Sequence, residues 1–548
     1  MNAATNPVII MMIAAFGVAF GQSPADPPKT SITGTVVDAS GAVIAGAKVS
    51  LFRIPDKVPA AFTKTDGKGE FQFSSREVQE FRLVAEAACF KPTVVQGIAD
   101  KRNGIAPLPP ITLEVTLCSG DAVEPLPATP DPSELSKLLE AGAGTPRPSV
   151  KSPAGAFATN RYRNLFLEAG HPQKEISAKI QAAFQQLFHG DPETQTVYYP
   201  AGQNANGPLA YLSDIHNHDV RSEGMSYGMM IAVQMDKKAE FDALWNWSKT
   251  YMYQSFVAHP SYGFFSWSMK VDGTPNSESP APDGEEYWAM ALYFASGRWG
   301  NGKGIYDYRG EAGRLLDSMK NRKIIDGPTI GGPETGGPEF HPEHKMVRFT
   351  PNLRRPDHTD PSYHLPAFYE LWARWGPEAD RPFWAAAAQV SRHFFQNVTH
   401  PGTALAPNYA NYDGTPVPGP GGKNENFGAD AWRTAANWAV DWSWWAADPR
   451  ERELSDKLQA FFESQGMDVY GSMYALDGKP LGGSHSTALV ATNAVASLAA
   501  TNHERAAKFV EALWKAEIPS GRYRYYDGMW YLMGLLHSSG EFRIWPPK

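Results

Sequence analysis

From residue 156 onward, apolar side chains recur at spacings of three and four in twelve segments joined by long loops rich in Gly and Pro. The segments lie near 175–189, 223–236, 239–257, 285–297, 305–321, 361–374, 378–397, 429–446, 450–464, 485–500, 503–515 and 524–538. Little between them alternates in the manner of a strand. Twelve helices in about 390 residues fit six helical hairpins closing into an (α/α)6 barrel. A superhelical solenoid is the alternative, but the segments share no fixed-period repeat.

Residues 31–117 have a different texture. Short alternating runs such as Ser31-Ile-Thr-Gly-Thr-Val-Val37, Ala47-Lys-Val-Ser-Leu-Phe52, Gly69-Glu-Phe-Gln-Phe73 and Phe81-Arg-Leu-Val-Ala85 are separated by Gly, Asp and Pro punctuation. They predict a small all-β, antiparallel sandwich. Residues 118–155, rich in Pro, Ser, Ala and Gly, read as a linker to the barrel. The fold expected is therefore mainly α, a barrel of residues 156–548 behind an accessory sandwich. Ahead of both, the apolar run Val8 to Phe20 ending in Ala19-Phe20-Gly21 reads as an export signal over residues 1–21, although no Lys or Arg precedes it. An exported, periplasmic or secreted, protein with only two cysteines, Cys89 and Cys118, is expected to join them as a disulfide, with two buried free thiols as the alternative.

A net charge of −8 and a pI near 6.0 argue against nucleic acid or an anionic membrane as partner. What the composition offers instead is aromatic surface. All 16 tryptophans follow residue 155. Trp432, Trp438, Trp442, Trp444 and Trp445 crowd one helix, and Trp267 sits in the loop Gly263-Phe-Phe-Ser-Trp-Ser268. Aromatic rings among carboxylates are what a saccharide cleft needs, because sugar rings have apolar C–H faces and polar edges; for any single Trp, core packing is the simpler account.

Three helix starts carry acids. Glu223 lies in Arg221-Ser-Glu-Gly-Met-Ser-Tyr-Gly228, Asp283 in Asp283-Gly-Glu-Glu-Tyr-Trp288 and Asp430 in Asp430-Ala-Trp-Arg433. Each alone is explained by capping, where an acid at a helix N-terminus contributes about 1 kcal/mol. Together they point to chemistry, because the inner-helix N-termini of such a barrel gather at one mouth.

These three segments resemble the signature segments of glycoside hydrolase family 8, and the likeness runs over about residues 158–548. The fuller stretch Val220 to Met252, with Met235-Asp-Lys-Lys238, is closer to the branch of reducing-end xylose-releasing exo-oligoxylanases. The resemblance implies an inverting hydrolase of β-1,4-linked xylo-oligosaccharides. Glu223 would be general acid, Asp430 general base, and Asp283 would hold the distorted sugar at the point of cleavage. Inversion requires the acid and base carboxyls roughly 6.5–9.5 Å apart. No cofactor and no catalytic metal are implied. Gly34-Thr-Val-Val-Asp38, Gly46-Ala-Lys-Val49 and Thr65-Asp-Gly-Lys-Gly-Glu-Phe71 resemble the carboxypeptidase-regulatory-like module, which implies an accessory that contacts a surface or a polysaccharide.

Arg221, Tyr227, Trp267, Trp288, Tyr363 and Arg433, inside or beside these segments, are expected to line the substrate cleft. The polar stretch Asp357-His-Thr-Asp-Pro-Ser-Tyr-His-Leu-Pro366 is expected on its rim. In the branch a loop blocks the leaving-group side, and Leu481-Gly-Gly-Ser-His-Ser-Thr-Ala488 stands in that place, with His485 positioned to bond the reducing-end hydroxyl. Small Ser484 and Ser486 beside it keep an endo-xylanase as the competing reading, with cellulase and chitosanase activities further off. An inactive carbohydrate-binding protein is the reading from another class, disfavoured because both Glu223 and Asp430 are present.

Overall fold

The twelve apolar stripes fold as helices wherever they were long enough to cover a core. The structure, a computed structural model, describes most of residues 30–113 and all of 154–419 and 423–548. The helices are α1 Gln173–His189, α2 Ser222–Gln234, α3 Lys238–Trp247, α4 Pro282–Trp299, α5 Tyr308–Asn321, α6 Pro366–Trp375, α7 Arg381–Val398, α8 Trp432–Trp445, α9 Arg450–Gln465, α10 Thr487–Ala496, α11 His503–Lys515 and α12 Arg524–Ser538. The inner ring runs α2, α4, α6, α8, α10, α12 and closes back on α2, with α4 meeting α6 through Tyr287 against Phe368 and Glu286 against Tyr369, while the other six pack outside it. This is the (α/α)6 barrel.

The two rings differ in sequence for a physical reason. An outer helix wets one face, so α11 buries only the stripe Ala506, Phe509, Val510 and Leu513. An inner helix has little wet face and is mostly apolar or small all round. In α2 every residue is buried except Glu223. Where inner helices begin, they approach more closely than ordinary side chains permit. A Cβ on Gly284 of α4 would lie 2.6 Å from Ser222 Cβ of α2, and one on Gly224 would lie 2.3 Å from the Tyr525 hydroxyl of α12. Two glycines thus let three helix starts converge.

Several boundaries moved. The segment expected over 361–374 starts at Pro366, because a residue before proline is pushed out of the α region; residues Pro361–Tyr363 form a separate 3-10 turn. The 239–257 segment stops as an α-helix at Trp247 and widens into a π turn over Ser248–Met252. The barrel unit also holds strands that periodicity did not reveal. A hairpin joins Tyr198–Asn204 to Gly207–Leu212, another joins Ile325–Thr329 to Gly332–Gly336, and a short pair joins Met473–Tyr474 to Pro480–Gly482. Val220–Arg221, Ser268–Met269 and Pro275–Ser277 form a three-stranded sheet at the foot of α2. These strands are short, or broken by Gly and Pro, so no apolar alternation marks them.

The N-terminal unit is described by itself. Its strands are β1 Thr30–Asp38, β2 Lys48–Arg53, β3 Ala61–Lys64, β4 Glu70–Ser75, β5 Glu80–Glu86, β6 Thr93–Ile98, β7 Ile105–Pro107 and β8 Ile111–Leu113. One sheet runs β3-β2-β5-β6 and the other β4-β1-β7, with β8 also on β1. The four expected runs are β1, β2, β4 and β5, and alternate residues such as Ile32, Val36, Val49, Leu51, Phe71, Phe73 and Leu83 fill the core. The sandwich is not purely antiparallel as expected, since β1 pairs in parallel with both β7 and β8. The expected signal over residues 1–21, Cys89 and Cys118 fall outside the described residues.

Candidate active site

The converging starts of α2, α4 and α8 deliver Glu223, Asp283 and Asp430 to one point. None of the three helices uses an N-cap side chain, so these acids are not spent as caps. They meet Arg433 instead. Its Nη1 donates to Glu223 Oε1 at 2.9 Å, to Asp283 Oδ2 at 2.8 Å and to the Tyr227 hydroxyl at 2.6 Å. Its Nη2 lies 3.7 Å from Asp430 Oδ1. Only 3% of the Arg433 side chain is exposed, so the cation is almost dry and its carboxylate partners are what make that burial tolerable.

Burial acts on the acids in turn. It pushes Glu223 up to about 7, against the pull of Arg433 and with added repulsion from Asp283 and Asp430. A carboxyl of that kind holds a proton on a large share of molecules near neutral pH and can give it away. Asp283 is also raised by burial, opposed by Arg433, while its Oδ1 accepts the Gly284 N–H at 2.9 Å. Asp430 is the wet one, with 41% of its side chain exposed. A proton-bearing carboxyl and a solvent-accessible carboxylate therefore flank one guanidinium, each within 4 Å of a different nitrogen. Such a pair can protonate one side of a bond while activating water on the other.

The remaining expected residues divide. Tyr227 is buried and reaches Arg433, and Tyr363 lays its ring 5.6 Å from the guanidinium carbon. Trp267 is 37% exposed. Its carbonyl accepts the Ser222 N–H at 3.0 Å, one residue from Glu223, and Arg221 stands 5.7 Å from its ring while paired with Asp214 and Asp219. His485 is exposed, and its Nδ1 meets the Tyr470 carbonyl at 2.9 Å. A carbonyl only accepts, so Nδ1 carries hydrogen and Nε2 of the neutral ring is left as an acceptor.

Two expectations are corrected. Trp288 does not line the cleft; it is 0% exposed, packed against Phe265 and Trp245, because it faces the outer layer one turn beyond Asp283. The segment 357–366 is not a rim as a whole, since Thr359, Asp360, Ser362, Tyr363 and His364 are buried. In α8, Trp438 and Trp444 are core, and Trp432 is the one whose ring approaches Tyr526 near the site. The sequence reading missed Tyr525 and Tyr526. Tyr525 donates weakly to Glu223 Oε2 at 3.5 Å, and Tyr526 donates to the Ala429 carbonyl at 2.9 Å beside Asp430. Their signal was available: they begin α12, another inner helix at the same mouth.

A dry acid, a wet carboxylate and an exposed Trp on an (α/α)6 barrel define a hydrolase of glycosidic bonds. The family model for glycosyl hydrolases family 8 matches residues 205–540, and that for a carboxypeptidase regulatory-like domain matches 31–114. The chain belongs to glycosyl hydrolase family 8. Over 394 residues it is 44% identical to the reducing-end xylose-releasing exo-oligoxylanase Rex8A of Paenibacillus barcinonensis, covering 71% of this chain and 98% of that one. The corresponding exo-oligoxylanase of Halalkalibacterium halodurans is 43% identical over 401 residues, covering 73% and 98%. A family 8 xylanase of Teredinibacter turnerae, solved with xylohexaose, is 55% identical with a TM-score of 0.71, covering 72% of this chain and all of that one.

Proposed function

We propose that the enzyme hydrolyses β-1,4-xylosidic bonds of xylo-oligosaccharides with inversion and releases xylose from the reducing end. Glu223 gives its proton to the glycosidic oxygen, Asp430 takes one from water on the opposite face, and Asp283 holds the sugar at the cleavage point. The observation that carries this reading is the split of environments around Arg433: a largely enclosed acid, 16% of its side chain exposed and pushed up to about 7, and a half-exposed acid on the other guanidinium nitrogen. Inversion calls for the two carboxyls to stand roughly 6.5–9.5 Å apart, leaving room for the attacking water. Trp267 offers a face for sugar stacking. The exo character rests on the likeness to the two exo-oligoxylanases and on His485, whose Nε2 is free to accept a reducing-end hydroxyl.

A second reading, endo-xylanase, is favoured by Ser484 and His485 being exposed on their loop and by the 55% identity to the Teredinibacter turnerae xylanase. A time course on xylohexaose labelled at the reducing end separates the two. Labelled xylose as the sole early labelled product supports exo-action; a spread of labelled oligomers supports endo-action. Inactivity on both xylohexaose and xylotriose would remove the substrate assignment. The proposal extends to export by the apolar run Val8 to Phe20, checked by N-terminal sequencing of the mature protein, and to surface or polysaccharide contact by residues 31–117, checked by pull-down of that unit on insoluble xylan.

A further inference from the structure

Asp360 is fully buried, and only half of it is satisfied. Its Oδ1 accepts the Ser362 N–H and the Ser362 hydroxyl, both at 2.7 Å, and so caps the turn Pro361–Tyr363. Its Oδ2 has no partner among the described residues. A buried polar atom left alone costs about 1–3 kcal/mol, so such an atom asks for an explanation.

The turn is pinned to the base half of the site. The Ser362 carbonyl accepts from Asn437 Nδ2 of α8 at 2.7 Å, and Tyr363 lies over Arg433. The charged and titratable groups within electrostatic reach of Asp360 are Asp430 and Arg433 at the start of α8, Tyr409 from the neighbouring loop, Tyr526 of α12 and Tyr363 of its own turn. Burial and the nearby Asp430 both hold Asp360 well above the ordinary carboxylate range. With Oδ1 occupied as a double acceptor, its proton belongs on Oδ2.

We propose that Asp360 is a positioning residue for the base: its Oδ2–H is directed toward the Asp430 carboxylate and the water beside it, and fixes both for attack. The inference rests on the reading of Asp430 as base. The proton is not transferred; it stays on Asp360 through the cycle. An ionised group there would repel Asp430, so burial serves the reaction by keeping Asp360 neutral.

Three variants test this, with kcat, KM and melting temperature read for each. Asp360→Ser keeps an oxygen to cap Ser362 but removes the outer donor, and its kcat should fall about 10²-fold with KM within about 3-fold. Asp360→Asn presents a carbonyl to Ser362 and an amide N–H outward, so kcat should return to within about 3-fold of the parent. A structural role alone would lower the melting temperature and show no such split between kcat and KM. An Asp360→Ser protein as active as the parent overturns the inference, and so does a stable Asp360→Asn as slow as Asp360→Ser. Asp430→Ala is the control. Full activity there removes the base assignment itself, whereas an inactive Asp430→Ala beside an active Asp360→Ser removes this inference alone.

Discussion

Glu223 and Asp283 reach the same nitrogen of Arg433, at 2.9 and 2.8 Å, so one cation tempers two acids, Asp283 buried and Glu223 largely enclosed. The reaction needs Glu223 protonated, and its value of about 7 places the alkaline limb of kcat/KM near neutral pH, with activity lost above it. Arg433 lowers Glu223, so Arg433→Gln should move that limb to higher pH even as kcat/KM falls about 10²-fold or more; a pH profile of the variant checks both. Glu223→Gln keeps the shape but cannot donate an acid proton, and kcat should drop about 10²–10⁴-fold with a small change in KM. At this scale the acids were legible because each sits at a helix start inside a segment that resembles a family signature, and Arg433 because it lies within one of those segments. Trp288 was not, since a residue's face in an inner helix depends on which neighbour packs where. Asp360 was not, since a polar segment gives no sign that it will be buried.

Helix starts, more than whole helices, build the site. Gly224 and Gly284 admit Tyr525 and Ser222 where a methyl group would collide, at 2.3 and 2.6 Å. Gly224→Ala should displace Tyr525 from Glu223, lowering kcat and costing about 1–3 kcal/mol of stability, as overpacking does. Denaturant unfolding together with steady-state rates tests this pair of effects. The helices themselves were readable along most of the barrel because each carries a stripe long enough to repeat. Strands such as Val220–Arg221 and Ser268–Met269, which tie Trp267 to the foot of α2, span too few residues to show a period. Nor does period distinguish inner from outer helices; burial of all of α2 except Glu223 follows from closure of the ring, which is a long-range event.

The barrel also hides a store of protons. Glu285, Glu286 and Glu339 are fully buried, and burial raises each well above its ordinary 4.5, with repulsion from Asp283 and among neighbouring glutamates adding to it. A raised folded-state value means that the folded barrel binds more protons than the unfolded chain once pH exceeds about 4.5, so stability falls as pH rises from there toward the folded-state values. Glu339 has both oxygens unpartnered among the described residues, so Glu339→Gln should flatten the alkaline decline, read as melting temperature against pH. The division into two compact units, 1–131 and 132–548, leads to a further expectation. A protein starting at residue 154 should retain the parent's kcat/KM on xylo-oligosaccharides within about 3-fold, since every residue assigned a role lies beyond it. The central assignment, Glu223 as acid and Asp430 as base with water between them, is tested most directly by proton NMR of the new reducing end that cleavage creates on the non-reducing-side product of xylohexaose. The α-anomer appearing first, then equilibrating, is the predicted result. The β-anomer appearing first would mean a covalent intermediate and would contradict the account.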